Sequence, residues 1–401
     1  MRPLFLAQNG NLKGLGFRKM RINKLSYESR TTGWCLKSIS FDQLTLLVGA
    51  SGVGKTRILR AILDLKKISR GESLNGVRWS IIFHTRTRSE CRWEGAFEDK
   101  GLAAERIFDL GEDEEKDKPK IEFEKVFVDE CELVSRTSAG IVFDGKETVK
   151  LSQTESVLSL LKEEEKIGGI TAEFERVIFD DNTGSAMALR RFAFDEELDE
   201  KLEAYKTIEA IRNCREGIKL KLYFAYMNQR ECFDEIAGSF IDVFPYVEKV
   251  KVEPLTDNGK KVPLFFRETP IIQIKEKGIS NWIDESKMSS GMHRVLMHVA
   301  ELYLCADSSL ILIDEFENSL GVNCIDDLTD SILEAGRDLQ FIMTSHHPYI
   351  INNIDFPNWK IITRKAGIVF ARDAADFNLG TSKHQAFTQL INLEEYLEGV
   401  Q

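Results

Sequence analysis

The sequence predicts an α/β protein whose parallel strands end in a phosphate-binding loop. Three observations predict it. Leu44 to Val48 (LTLLV) is a short apolar run, followed at once by Gly49-Ala50-Ser51-Gly52-Val53-Gly54-Lys55-Thr56 and a helical segment from Arg57 to Leu65. Leu310-Ile311-Leu312-Ile313 is a second apolar run and ends in Asp314-Glu315. Gln340-Phe341-Ile342-Met343 is a third, followed by Thr344-Ser345-His346-His347-Pro348. Compact apolar runs of this length suit parallel strands covered on both faces.

The segment from Gly49 to Thr56 fits G-x-x-x-x-G-K-[ST] at every fixed position. Gly49, Ser51, Gly52 and Gly54 are placed to turn backbone N–H groups toward an anion, and the following helix adds the positive end of its dipole. Lys55 is expected to reach the β- and γ-phosphates of a nucleoside triphosphate. The Thr56 hydroxyl is expected on Mg²⁺. A nucleoside triphosphate and Mg²⁺ are therefore the expected ligands.

The acids after the second run complete such a site. Asp314 is expected to hold the Mg²⁺ shell beside Thr56. Glu315 would then stand next to the γ-phosphate and polarise the attacking water. A histidine at the C-terminal end of a parallel strand lies on the ligand-binding edge of the sheet, so His346 is a candidate sensor of the γ-phosphate. Met288-Ser289-Ser290-Gly291-Met292 precedes an amphipathic helix predicted over 292–306. Ser289, Ser290 and Gly291 suit either an anion site or an ordinary serine N-cap.

Along the chain, residues 1–19 read as an arm. Strands are predicted at 21–27 and 36–41, at stretches within 78–98, and around 121–128 and 140–143. A charged loop is expected over 112–119. Residues 155–165 and about 186–238 read as helical, the latter rich in strong helix formers (DEELDEKLEAYKTIEAI). No sustained heptad repeat points to a coiled-coil arm. Strand and loop are expected over 240–253 and 263–273, a hairpin over 359–369, and a last helix over 385–396. The domain organisation expected is 1–100 and 286–401 as the two parts of one nucleotide-binding domain, with 101–285 inserted between them.

The 401 residues leave room for one large domain or two to three small ones. No apolar run approaches the ~18 residues of a membrane span. The 7 cysteines are scattered without C-x-x-C spacing, which points to free thiols in the cytoplasm and against structural zinc. The net charge of −11 conceals an asymmetry, because residues 1–60 carry eleven Lys/Arg against Glu28 and Asp42 alone. Such a segment suits DNA phosphates or, equally, the solvated edge of a sheet.

Together these motifs resemble the ABC-type ATPases. GASGVGKT resembles Walker A, MSSGM the LSGGQ signature, ILIDE Walker B, and TSHHP the switch-histidine region. Asp314-Glu315-Phe316-Glu317-Asn318-Ser319-Leu320 resembles Walker B joined to a D-loop. The likeness lies with the SMC/RecF/OLD branch and its stand-alone "AAA family ATPase" relatives, which include the PtuA- and AriA-type ATPases of bacterial anti-phage systems. It covers roughly the first 65 and last 130 residues. It implies a P-loop ATPase head with a mixed β-sheet and an inserted helical subdomain.

The resemblance also implies a mechanism. Two copies, or a larger oligomer, would sandwich ATP, with Ser289 and Gly291 of one completing the site of the other. The chain departs from the family in three places. No glutamine lies between Gln43 and Gln153 to serve as a Q-loop, Ser290 replaces a usual glycine, and Met292 replaces the usual Gln or Glu. Slow hydrolysis, as in a switch, follows from these departures. Only about 50 residues follow the TSHHP segment, too few for an OLD-type nuclease, so an effector nuclease or toxin is expected on a separate chain. The alternative is a DNA-binding repair ATPase of RecF/SMC type. The long separation of Lys55 from Asp314 argues against a transporter ATPase, and Glu315 against a protein that binds ATP without turnover.

Overall fold

A computed structural model describes residues 21–101, 118–180, 196–254, 270–317, 337–377, 383–397 and 399. The chain divides into two compact units. The first comprises Met1–Asp180, Ser308–Glu315 and Asp338–Gln401; the second comprises Asp181–Asp307 and Phe316–Arg337. The expected 1–19 arm, the greater part of the 112–119 loop and Asn318-Ser319-Leu320 lie outside the described residues.

The first unit is built on a 14-stranded mixed sheet. Its strands are β1 (Arg21–Ser29), β2 (Trp34–Ser40), β3 (Leu44–Val48), β4 (Val77–His84), β5 (Glu90–Phe97), β6 (Ile121–Val128), β7 (Cys131–Thr137), β8 (Gly140–Phe143), β9 (Lys146–Glu147) and β10 (Val177–Asp180). After β11 (Val247–Pro254), β12 (Pro270–Glu276) and β13 (Ile283–Asp284), which belong to the second unit, come β14 (Leu310–Ile313), β15 (Gln340–Thr344), β16 (Trp359–Lys365) and β17 (Ile368–Asp373). The order is β10-β14-β15-β3-β16-β17-β2-β1-β4-β5-β6-β7-β8-β9.

From β10 to β16 all neighbours are parallel. Beyond β1 the sheet becomes an antiparallel meander. The parallel part is where the apolar runs fall. Every residue of β14 and β15 is buried, and so is β3 from Thr45 onward. The first unit runs past residue 100 to Asp180 because β6 pairs with β5 along seven register positions, which ties the following strands into the same sheet.

The helix Lys55–Ser69 lies on this sheet and buries Ile58, Leu59, Ile62, Leu65 and Ile68. They join Trp34, Leu36, Trp79, Phe83, Trp93 and Phe174 in one apolar cluster. Two polar devices lock the unit. Gln340 donates from Nε2 to the carbonyl oxygens of Ile22 (2.9 Å) and Asp42 (3.0 Å) and accepts from the Ile22 N–H (2.9 Å). It thereby fastens β15 to β1 and to the approach to β3. Glu124 is wholly buried and accepts from Trp93 Nε1 (2.9 Å), the Val157 N–H (2.9 Å) and Ser156 Oγ. Burial, the largest cause, raises its pKa, while these donors and Arg136, 3.8 Å away, act in the opposite direction.

The second unit contains helices Glu196–Ala204, Ile208–Asn213, Ile218–Asn228, Arg230–Val243 and Ser290–Leu304, with β11-β12-β13 as an antiparallel sheet. Arg337 caps the last of these helices, donating to the carbonyls of Leu302 (2.7 Å), Tyr303 (3.1 Å) and Cys305 (2.6 Å). A cation at this end also opposes the helix dipole.

Element bounds differ from the sequence reading in several places, among them the expected 155–165 helix, which is Val157–Leu160 followed by Glu165–Glu175, and β10 and the helix Pro348–Asn353, which were not predicted. Helix continues to Val243, past the expected end near 238, because Phe240 and Val243 extend the buried stripe of Phe233 and Ile236. β7 lies in a stretch where no strand was predicted. The tail hairpin continues to Asp373. The expected last helix is two short helices, Lys383–Leu390 and Glu394–Leu397.

Candidate phosphate-binding site

The strands β3, β14 and β15 run parallel and in register, with Ile313 beside Met343 and Thr344 beside Leu47. Their C-terminal ends therefore open side by side. The loop after β3, the acids after β14 and the Ser-His-His segment after β15 emerge at one edge of the sheet.

Backbone geometry explains the glycines of the loop. Gly49, Gly52 and Gly54 have φ of 149°, 80° and 109°, which side chains rarely adopt. A Cβ on Gly49 would also lie 2.4 Å from the Ile362 carbonyl oxygen of β16, so any larger residue would push the loop off the sheet. Ser51 and Gly52 are exposed at the loop's crest, and Val53 anchors it in the core. Gly54 is the N-cap of the helix that follows, so the N–H groups of its first turn lie at the end of the loop.

Lys55 is 5% exposed. Its Nζ donates to the carbonyl oxygens of Gly49 (2.9 Å) and Ala50 (2.8 Å), and this holds a cation within the loop's own curve. Thr56 Oγ1 donates to Asp314 Oδ1 across 3.0 Å. A hydroxyl and a carboxylate this close are hard oxygen donors of the kind Mg²⁺ takes. The residues therefore fit the metal that phosphate-loop sites employ, which would neutralise charge on the β- and γ-phosphates.

Glu315 follows with a φ of 47°, in the left-handed region where a side chain costs energy. Its N–H donates to Thr344 Oγ1 (2.8 Å), and that hydroxyl donates to Asp314 Oδ1 (2.7 Å). Thr344 is 1% exposed. The sequence reading gave it no role, and no spacing rule would have found it. Only the register of β15 beside β14 brings it to the acids.

The two histidines after β15 differ in position. His347 is the N-cap of the helix Pro348–Asn353 and accepts from the Tyr349 N–H through Nδ1 (3.3 Å). His346 is exposed at the strand end. On the other side of the loop, Arg364 of β16 reaches the Gly52 carbonyl (3.4 Å), a second contact the sequence reading missed. The Arg57 guanidinium lies 5.1 Å over the Trp34 ring and donates to Thr32 Oγ1 (3.2 Å).

The first unit thus gathers Gly49, Ser51, Gly52, Gly54, Lys55, Thr56, Asp314, Glu315 and His346. Ser289, Ser290 and Gly291 belong to the second unit. There Ser289 is the N-cap of the helix Ser290–Leu304 and accepts from the Met292 N–H (3.2 Å), while Ser289 and Ser290 remain exposed. The cap geometry meets the ordinary structural role of that serine.

Fold and loop together define the class: an α/β P-loop NTPase with a large mixed sheet. Residues 221–352 match the family described as "AAA domain, putative AbiEii toxin, Type IV TA system". The match is about a third of the chain. It takes in the signature-like segment, Asp314, Glu315 and His346, and begins after the phosphate loop. No curated protein sequence matches the chain. Among solved structures, the chain is similar to the SmcHead bound to the C-winged helix domain of ScpA, at 15% identity and a TM-score of 0.48, over 88% of this chain and 97% of that one. It is similar to the Smc head domain with an extended coiled coil bound to the C-terminal domain of ScpA from Pyrococcus furiosus (13%, TM-score 0.46, 93% and 99%). A third is the SMC head domain from Thermotoga maritima (13%, TM-score 0.41, 88% and 99%). Among the described residues no helix is long and apolar enough to cross a membrane.

Proposed function

We propose that this chain is a Mg-ATP-dependent ATPase that works as a switch. The observation that carries the reading is the constellation at the C-terminal edge of β3, β14 and β15. Lys55 is held in a loop of left-handed glycines, Thr56 is bonded to Asp314, and Glu315 is fixed next to them. In this reading the loop N–H groups and Lys55 bind the phosphates. Thr56 and Asp314 hold Mg²⁺. Glu315 orients and deprotonates the attacking water, and His346 contacts the γ-phosphate. On binding, Lys55 exchanges its loop carbonyls for phosphate oxygens, so its charge is already held within the loop before nucleotide arrives.

The switch involves a second copy. Ser289 and Gly291 of one subunit complete the phosphate site of the other, so ATP holds two subunits together and hydrolysis releases them. The matched family's description, which names a putative toxin of a type IV toxin–antitoxin system, supports a role in bacterial defence. In that role the ATPase controls a separate effector such as a nuclease or toxin.

Light scattering with and without Mg-ATP, run alongside phosphate release, tests the reading. The expected result is a mass increase on adding Mg-ATP that decays with hydrolysis in the wild type and persists in Glu315→Gln. Absence of phosphate release from the wild type would overturn the ATPase assignment. Normal turnover at constant mass that survives Ser289→Arg would overturn the shared site alone.

A further inference from the structure

We propose that Thr344 is a positioning residue for hydrolysis, coupling the alignment of Glu315 to the end of β15; this rests on the ATPase reading above. The roles of its hydroxyl are forced by chemistry. The Glu315 N–H can only donate, so Thr344 Oγ1 accepts there, at 2.8 Å. The single hydroxyl proton is then left for Asp314 Oδ1, at 2.7 Å, and a carboxylate oxygen can only accept. That same Oδ1 also accepts from Thr56 Oγ1 at 3.0 Å. One carboxylate oxygen thus collects the hydroxyl expected to bind the metal and the hydroxyl that holds the backbone of the expected base.

A buried threonine that satisfies a stray N–H would be an ordinary finding. Two observations separate this one. Glu315 has a φ of 47°, so its backbone needs an external restraint to remain where it is, and the bond to Thr344 supplies one. Thr344 also lies two residues before His346. Between them Ser345 is 1% exposed, and its Oγ accepts from the His347 N–H (3.0 Å). The segment from Ser345 to His347 is therefore braced as a short turn directly after Thr344, so a movement of His346 toward a phosphate is transmitted to the bond that orients Glu315. The strand that senses the γ-phosphate and the residue that activates water are joined through one hydroxyl.

The test uses Thr344→Val, which keeps the shape and removes the hydroxyl, and Thr344→Ser, which keeps the hydroxyl. The readouts are the Kd for Mg-ATP, kcat, and hydrogen exchange of the Glu315 amide in nucleotide-free protein. Misplacing a reacting group by about 1 Å costs ~10²-fold. The Val variant is therefore expected to lose about 10²-fold in kcat, keep a Kd close to wild type, and lose protection at the Glu315 amide. The Ser variant is expected to restore all three. Should the Val variant fail to fold, Thr344→Ala makes the same deletion with less bulk. Wild-type kcat in the Val or Ala variant overturns the proposal, and so does a fall in kcat with the Glu315 amide still protected. Absence of turnover in the wild type would instead overturn the ATPase reading. The exchange measurement would still report whether Thr344 restrains Glu315.

Discussion

Lys55 Nζ lies 2.8 Å from the carbonyl oxygen of Ala50, inside the loop proposed to bind the nucleotide's phosphates. A charged donor that already lies within the curve loses little freedom when phosphate oxygens replace the carbonyls. Hydrogen bonds to charged groups are worth about 1.5–3 kcal/mol each. Lys55→Ala is therefore expected to weaken ATP binding by ~10²-fold or more, measured by titration calorimetry. Binding within threefold of wild type would remove Lys55 from the phosphate site.

Glu315 gives two separable predictions. Glu315→Gln keeps size and hydrogen bonding but removes the base, so kcat is expected to fall by ~10²–10⁴ while nucleotide binding persists. The φ of 47° makes the second. Glu315→Gly is expected to be more stable than Glu315→Ala by about 1 kcal/mol in urea unfolding, because only glycine enters the left-handed region without a Cβ clash. Equal stabilities would mean that the backbone holds no strain there.

Gln340→Leu would leave the N–H and C=O of Ile22 without their side-chain partner in a buried place and remove a part-buried bond to the C=O of Asp42. Each abandoned buried group costs about 1–3 kcal/mol. The expected loss is at least about 2 kcal/mol by denaturant unfolding, with no direct effect on the loop. A change under 1 kcal/mol would show that water replaces the amide.

Lys66 gives a pH signature. Burial, aided by Arg70, lowers its pKa from 10.5 to about 8. Its Nζ donates to the Val177 carbonyl (2.6 Å). Between about pH 8 and 10.5 the folded chain holds this amine neutral while the unfolded chain keeps it protonated. The unfolded state then binds more protons, so the Lys66 contribution to stability rises with pH across that window. Unfolding free energies of wild type and Lys66→Met at pH 7 and pH 10 are expected to diverge in favour of wild type at the higher pH. A pH-independent difference would contradict the shift.

The sequence made the parallel part of the sheet legible and the meander only partly so, and two turns show why. Asp144-Gly145 joins β8 to β9 with φ of 50° and 75°, using residues that suit a type I′ turn. Asp129-Glu130 joins β6 to β7 with φ of 48° and 66°, the same kind of turn without glycine or asparagine. Pairing across β6 imposes that conformation against local preference, and β7 was missed with it. At the candidate site, the motif spacing singled out Lys55, Thr56, Asp314 and Glu315, because the expected chemistry of each depends on local sequence. Thr344 and Arg364 were not legible, since each reaches the site through strand register between segments remote in the chain.

The order of the central strands bears on how the chain is made. β3, which carries the phosphate loop, pairs with β15 on one side and β16 on the other. Both partners lie far downstream in the sequence, at Gln340–Thr344 and Trp359–Lys365. During synthesis LTLLV leaves the ribosome with both of its hydrogen-bonding edges open, and neither partner exists until some 300 residues later. An apolar strand with two free edges is a template for wrong pairing. The nascent protein must shelter this strand until β15 and β16 are made, and chains cut short before residue 340 are expected to aggregate rather than to fold into a smaller nucleotide-binding fragment.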